Sequence, residues 1–184
     1  MSIIRTFLAV NLSVAVNRRV AEEVERHKAN VGAGVKVAWV PPANFHLTLR
    51  FLGPVEEELI EAIAGRCRMR LAKHAPFELR ARGFGVFPVA DQPRVLWVGV
   101  DGGEPLAKLQ RDVEGALGEL GLPKEERPFH PHLTVGRVKE GAAVTWSSDA
   151  ELGMSQVHEM VVYESKTTSK GSEYTARARV PLGK

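Results

Sequence analysis

Apolar residues recur along this chain with two different periods, and each change of period marks a boundary between predicted elements. The apolar run over residues 4–12 is typical of a strand. Val16, Val20 and Val24 then recur at every fourth position, which predicts a helix with one buried face. Ser13 precedes this helix and belongs to the residue types that cap helix N-termini. The chain is therefore expected to open with a strand followed by a helix.

The same patterns predict two further helices and six further strands. The second helix turns Leu59, Ile63 and Cys67 inward, and the third begins at Pro105, a residue type suited to a first helical turn. Glycines and prolines between residues 83 and 93 predict a loop. The further strands are predicted over residues 45–52, 77–82, 94–100, 132–138, 157–164 and 174–180.

The order of these elements favours an α+β fold. Helices alternate with strands in the first part of the chain, but no helix separates the last predicted strands. Largely antiparallel sheets are therefore expected, in place of a parallel doubly wound sheet. Because 184 residues suit one domain, we expect residues 1–184 to form a single unit.

One short phrase occurs twice in the sequence. His46 is followed two positions later by Thr48, and His132 is followed two positions later by Thr134, each pair within an apolar run. A proline-containing segment precedes each histidine, and an arginine-led apolar run lies further upstream in both cases. This self-similarity predicts two related halves. Packing about a pseudo-two-fold axis would make the two histidines face each other across a cleft.

The repeated pairs carry the residue types that phosphodiester chemistry needs. Side chains alternate faces along a strand, so each histidine projects to the same side as its threonine. One imidazole can accept a proton while another supplies one, and the hydroxyls can donate to phosphate oxygens. This chemistry needs no metal or organic cofactor, and we predict none.

Other chemistries have less support. His130 and His132 form a His-Pro-His pair that offers a metal site as an alternative, but no spaced set of Cys, Asp or Glu completes a coordination shell. The sequence contains no glycine-rich phosphate loop, dinucleotide fingerprint or serine-hydrolase turn. The segment 165–172 is open to two interpretations, a nucleotide-wrapping loop and a solvated hairpin turn.

Composition and charge favour a soluble, cytoplasmic protein. The chain is 44% hydrophobic and 26% charged, as is ordinary for a globular domain. Its one cysteine, Cys67, has no partner for an intramolecular disulfide, as expected in a reducing compartment. The sequence has no signal peptide and no apolar run of about 18 residues, so we expect no membrane partner. The net charge of +3 is compatible with RNA as a partner and equally with solvated basic faces.

Both motifs resemble those of the two-histidine phosphoesterases, and within them the RNA 2′,3′-cyclic phosphodiesterases once described as 2′-5′ RNA ligases. The resemblance extends over nearly the whole chain. It is carried by residues 5–10, 39–53, 85–88, 94–97 and 131–137. It implies two pseudo-symmetric lobes, each a mainly antiparallel sheet with helices packed outside, around a central cleft with one motif from each lobe.

The resemblance also implies an activity, the hydrolysis of RNA or oligonucleotide 2′,3′-cyclic phosphate ends to 2′-phosphates. His46 is assigned as the acid and His132 as the base, although the sequence fits the exchanged roles equally. Thr48 and Thr134 would bind the phosphate. Small cyclic nucleotides are further candidate substrates, and we expect a monomer. Two alternatives stay open, a 2′-5′ RNA ligase and a non-catalytic nucleotide- or RNA-binding module.

Phe51 and Arg137 occupy matching positions, five residues after His46 and five after His132. By resemblance, Arg137 would contact phosphate and Phe51 would stack on a terminal base. A guanidinium fork suits the first role, and an aromatic face accepts any base in the second. The alternatives are that Phe51 belongs to the core and that Arg137 is a surface residue at a strand end.

Overall fold

The computed structural model describes residues 2–183, and within this range it contains three α-helices and nine β-strands. The helices are α1 (Val14–His27), α2 (Leu59–Leu71) and α3 (Gly103–Gly118). The strands are β1 (Ile3–Val10), β2 (Lys36–Trp39), β3 (Leu47–Glu56), β4 (Phe77–Val89), β5 (Gln92–Asp101), β6 (His132–Glu140), β7 (Glu151–Val157), β8 (Glu159–Thr168) and β9 (Gly171–Pro181).

All nine strands belong to one sheet in the order β7-β4-β5-β6-β3-β1-β8-β9, with β2 paired to β6 beside this path. Every strand pairing is antiparallel. Strands β6 and β3 lie at the centre, so the two halves of the sheet meet along the strands that carry the repeated motif. The predicted α+β architecture with two related halves is confirmed, and the half-sheets are joined edge to edge.

The sheet is larger than the sequence pattern predicts. The predicted loop between residues 83 and 93 is wrong, because β4 and β5 pair through most of it. Gly83 has a φ of +69° beside a break in the β4–β5 register, and a side chain at Gly85 would overlap the ring of Trp97. Glycine therefore marks a bulge and a close approach here, and not a turn. Strand β2 was not predicted, and the strand predicted over 157–164 is divided at His158 into the end of β7 and the start of β8.

The helices pack on one face of the sheet and form a single hydrophobic cluster with it. In α1 the predicted stripe of Val16, Val20 and Val24 is buried, and Ser13 accepts a hydrogen bond from the backbone N–H of Val16 at 3.3 Å, which confirms the predicted cap. Cys67 is fully buried in α2. The opposite face of the sheet is left for polar and aromatic side chains. Within residues 2–183, no helix combines the length and the apolar character that crossing a bilayer needs.

Candidate active site

The two repeated motifs lie side by side at the centre of the sheet. Leu47 of β3 pairs with Leu133 of β6, and both side chains are fully buried. Continuing this antiparallel register by one residue in each direction sets each motif's histidine opposite the other motif's threonine. Side chains in opposite positions have Cβ atoms about 4.5–5.5 Å apart. We name the half-buried side chains of His46, Thr48, His132 and Thr134 the catalytic cluster, after the role that we propose for them.

A β-bulge follows each motif at the same position. Leu49 has no partner in the β1–β3 ladder, and Val135 has none in the β5–β6 ladder. One extra residue shifts the alternation of the side chains after it, so the fifth residue after each histidine returns to the histidine's face. These residues are Phe51 and Arg137. The structure therefore brings all six residues singled out in the sequence to one face of the sheet.

Equivalent backbone contacts hold both imidazoles. Nδ1 of His46 lies 2.7 Å from the carbonyl oxygen of Asn44, and Nδ1 of His132 lies 2.6 Å from the carbonyl oxygen of His130. A carbonyl oxygen can only accept a hydrogen bond, so Nδ1 carries the proton in both neutral rings and Nε2 is left as the acceptor. Nε2 of His46 also lies 3.0 Å from the hydroxyl oxygen of Thr48. Each ring thus presents the nitrogen that can take up a proton.

Burial lowers the pKa of both histidines. Removal from water is the largest cause for each ring, and the backbone hydrogen bond at Nδ1 opposes it. The positive charge of Arg137 lowers the pKa of both His46 and His132 further. Proximity to His132 also lowers the pKa of His46, which reflects how close the two rings are. Since the ordinary value is about 6.5, both rings of the free protein are predominantly neutral at about pH 7.

Aromatic rings that were not assigned to the site from the sequence surround both imidazoles. Phe7 stacks on His46 with ring centroids 4.7 Å apart, and Tyr174 meets the same imidazole edge-on at 5.2 Å. Phe87 and Trp97 lie 5.0 and 6.4 Å from the other imidazole. These rings come from β1, β9, β4 and β5. They keep water from the histidines and so account for the lowered pKa values.

Phe51 and Arg137 are both exposed on the face that carries the catalytic cluster. The Phe51 side chain is 41% exposed, and the guanidinium carbon of Arg5 lies 4.8 Å from the centroid of its ring. Phe51 is therefore not a core residue. Its ring offers an exposed flat surface, and the Arg5 guanidinium makes a cation–π contact with it. Base stacking by Phe51 and phosphate binding by Arg137 stay predictions.

The β8–β9 connection is a hairpin, in which the Thr168 hydroxyl donates to the carbonyl oxygen of Gly171 at 2.9 Å. The side-chain amide of Asn44 donates to the carbonyl oxygen of Ser172 at 2.7 Å, which ties this hairpin to the residues just before His46. Of the two interpretations of residues 165–172, the hairpin is confirmed. A contact with a nucleotide stays a prediction.

Within the part of the chain that the structure describes, the His-Pro-His pair does not form a metal site with other protein ligands. The His130 side chain is exposed, and its backbone carbonyl is the group that contacts His132. Across the described residues 2–183, no three His, Cys, Asp or Glu side chains are grouped to hold a metal ion.

A family model described as the 2′-5′ RNA ligase superfamily matches residues 16–164 of this chain. The match includes both histidine motifs and most strands of the sheet. The chain belongs to this superfamily. The resemblance noted in the sequence is confirmed.

Two curated relatives are similar to this chain over nearly its whole length. A protein of Aquifex aeolicus (strain VF5) is 32% identical over 191 aligned residues that cover all of both chains. A protein of Methanothermobacter thermautotrophicus is 35% identical over 179 residues, covering 94% of this chain and 95% of its own. Both relatives are named RNA 2′,3′-cyclic phosphodiesterase.

Solved structures share the fold of this chain. A crystal structure of a Thermus thermophilus protein superposes with a TM-score of 0.86 at 28% identity, covering 98% of this chain and 100% of its own. The Escherichia coli protein LigT, crystallised with 3′-AMP, gives a TM-score of 0.81 at 24% identity over the full length of both chains. The whole described fold is therefore that of known proteins.

Proposed function

We propose that this protein hydrolyses the 2′,3′-cyclic phosphate ends of RNA or oligonucleotides to 2′-phosphates by acid–base catalysis at His46 and His132. The observation that carries the proposal is the pairing of β3 with β6, which sets two histidine–threonine pairs on one face of the sheet. The hydrolase activity in the names of the Aquifex and Methanothermobacter relatives supports it.

The hydrolysis needs two proton transfers, one for each histidine. Water attacks phosphorus, a new P–O bond forms, and the bond from phosphorus to the 3′ oxygen breaks. One neutral imidazole accepts the proton of the water at Nε2, and the other imidazole, protonated, gives its proton to the departing 3′ oxygen. We assign His46 as the acid and His132 as the base, and the pseudo-symmetric cluster fits the exchanged roles equally.

The remaining residues on the face of the sheet would bind the substrate. Thr48 and Thr134 supply hydroxyl donors beside the two imidazoles, where negative charge builds on the non-bridging oxygens. Arg137 would pair with the phosphate, since a guanidinium offers several fixed donors. The exposed ring of Phe51 would stack on the terminal base.

We also propose that the working enzyme is a cytoplasmic monomer that needs no metal ion. All six site residues come from a single chain, so no second copy is required to complete the catalytic cluster. Proton transfer by two imidazoles requires no Lewis acid. Small cyclic nucleotides fit the same chemistry as the terminal nucleotide of RNA.

Product analysis on one defined substrate tests these proposals. An oligonucleotide with a 2′,3′-cyclic phosphate end is incubated with the protein, with and without EDTA, and the phosphorus species are followed by NMR. We expect a 2′-phosphate monoester at the same rate in both samples. His46→Ala and His132→Ala should each lower kcat by about a hundredfold or more. His158→Ala is the matched control, because this histidine is exposed at the β7–β8 connection.

Different products would contradict the proposal. An RNA with a 5′-hydroxyl is added to a parallel sample, and joined product in place of the monoester would indicate a ligase. Tight binding without conversion would indicate a binding module. Light scattering in the presence of the same oligonucleotide measures the molar mass of the protein, and a mass of two or more chains would contradict the proposed monomer.

A further inference from the structure

Arg50 lies on the strand of the first motif but faces away from the catalytic cluster. In the β1–β3 ladder it pairs with Leu8, which is fully buried on the helix-covered face. Arg50 is only 8% exposed. Its Nε lies 3.6 Å from Glu114 of α3, its Nη1 lies 3.5 Å from Glu125, and its Nη2 donates to the carbonyl oxygen of Pro123. A charge buried in this way is costly unless its contacts are kept, and the proposed reaction does not use it directly.

The segment that Arg50 binds is the counterpart of β2 in the other half. Strand β2 lies ten to seven positions before His46, and residues 122–125 lie the same number of positions before His132. Strand β2 is held against β6, the strand of the second motif, by a backbone ladder. Residues 122–125 form no strand, and the hydrogen bond that joins them to β3 comes from the Arg50 side chain.

Gly136 occupies the position in the second motif that Arg50 occupies in the first, four residues after the histidine. A Cβ atom at Gly136 would lie 2.7 Å from Val37 and 3.1 Å from Trp39, so β2 packs directly over this glycine. An arginine has no room there. The two halves thus hold equivalent segments against the motif strands by different means, a backbone ladder in one half and a guanidinium in the other. Backbone N–H groups of Leu122 and Glu125 also tie the second segment to α3, but not to β3.

The segment held by Arg50 leads directly into the second motif. The residues from 126 to 131 have no regular structure, and His130 lies among them. The carbonyl oxygen of His130 accepts the hydrogen bond from Nδ1 of His132 that sets the orientation and the tautomer of this imidazole. Movement of the segment would therefore move the acceptor that fixes the ring.

We propose that Arg50 is a positioning residue for His132. Arg50 holds residues 122–125 against the strand of the first motif. It thereby fixes the position of the following residues, 126–131, which lead into the second motif. The kinetic part of this proposal rests on the proposed function. The placement of the His132 ring does not, and it can be observed without substrate.

The kinetic test compares Arg50→Met with wild type on the cyclic-phosphate oligonucleotide. We expect kcat to fall by about tenfold or more with KM within about twofold, because a small displacement of a catalytic group is costly in rate. Arg50→Lys should recover part of the loss, since it keeps the charge but not the guanidinium fork. The matched control is Arg177→Met, which removes an arginine held by Glu57 and Glu164 elsewhere in the fold. Its kcat should stay within about twofold of wild type.

The second test follows the imidazole Hε1 signals of the substrate-free protein by NMR as the pH is varied. In Arg50→Met the signal and the pKa of His132 should change clearly more than those of His46, which feels His132 only as a smaller contribution to its own pKa. Should Arg50→Met fail to fold, Glu125→Gln removes one charged partner and should change the same signal. An unchanged His132 signal, or equal changes at both histidines, would overturn the proposal. If the wild type does not hydrolyse the substrate, the proposed function fails, and the NMR result still decides the role of Arg50.

Discussion

Replacing Arg137 by methionine should change both the rate and the pH dependence of turnover, through two separate effects of one charge. The first effect is the loss of a charge-assisted hydrogen bond to phosphate, which contributes about 1.5–3 kcal/mol. Since about 1.4 kcal/mol corresponds to a factor of ten, kcat/KM should fall by roughly tenfold to 150-fold. The second effect concerns protonation. The guanidinium lowers the pKa of both histidines, so its removal should raise both values.

The assay is the pH profile of kcat/KM on a 2′,3′-cyclic-phosphate oligonucleotide, which reports the ionisations of the free enzyme. This profile is expected to be bell-shaped, with one limb set by each histidine. Both the acid and the alkaline limb should move towards higher pH in Arg137→Met. Lys139→Met is the matched control, because Lys139 lies two residues further along β6, is exposed, and contributes to neither histidine's pKa shift. A loss in kcat/KM no larger than that of the control, or a movement of the bell towards lower pH, would refute the reasoning.

Three further predictions follow from the burial and charge of single residues. Because both histidines have lowered pKa values, the wild-type bell of kcat/KM should be centred below about pH 6.5, and a centre above that value would contradict the burial argument. Phe51→Ala should raise KM for a cyclic-ended oligonucleotide while the free energy of unfolding changes by less than about 1 kcal/mol, since the ring is 41% exposed; a large loss of stability with unchanged KM would return Phe51 to the core. Leu109→Ala, at a fully buried position of α3, should lower the free energy of unfolding in urea by about 2–5 kcal/mol and leave kcat near the wild-type value; a smaller loss would mean that the helix layer packs loosely.

The catalytic cluster was accessible from the sequence because its signal is local and repeated. A histidine and a threonine two positions apart share a face of any strand, so the alternation of side chains places each pair without knowledge of the fold. The duplication of the motif then predicts two halves that each contribute one histidine and one threonine to the site. The pairing of Leu47 with Leu133 is the contact that brings the halves together.

The rest of the site depends on register and could not be read from periodicity. Phe51 and Arg137 lie an odd number of residues after their histidines, which in a regular strand would place them on the opposite face. The bulges at Leu49 and Val135 return them to the histidine face. Gly136 adjoins the second bulge, but no glycine or proline adjoins the first, so the sequence does not mark both. The family resemblance supplied these two residues where the alternation alone would have rejected them.

The aromatic lining and the Arg50 contacts were missed for a related reason. Phe87 lies in a segment whose glycines and prolines predicted a loop, and Tyr174 reaches His46 only through the pairing of β9 with β8. Arg50 has an apolar sequence context, and its partners Glu114 and Glu125 lie far along the chain. Such contacts follow from tertiary structure and leave no periodic signal.

A double-mutant cycle tests most directly whether the two imidazoles act together on one phosphorus atom. The kcat values of His46→Ala, His132→Ala and the double variant are measured on the same cyclic-ended oligonucleotide. Residues that work as one unit give strongly non-additive losses, so the double variant should be about as slow as either single variant. A double loss equal to the product of the two single losses, or wild-type turnover in either single variant, would contradict a joint acid–base mechanism.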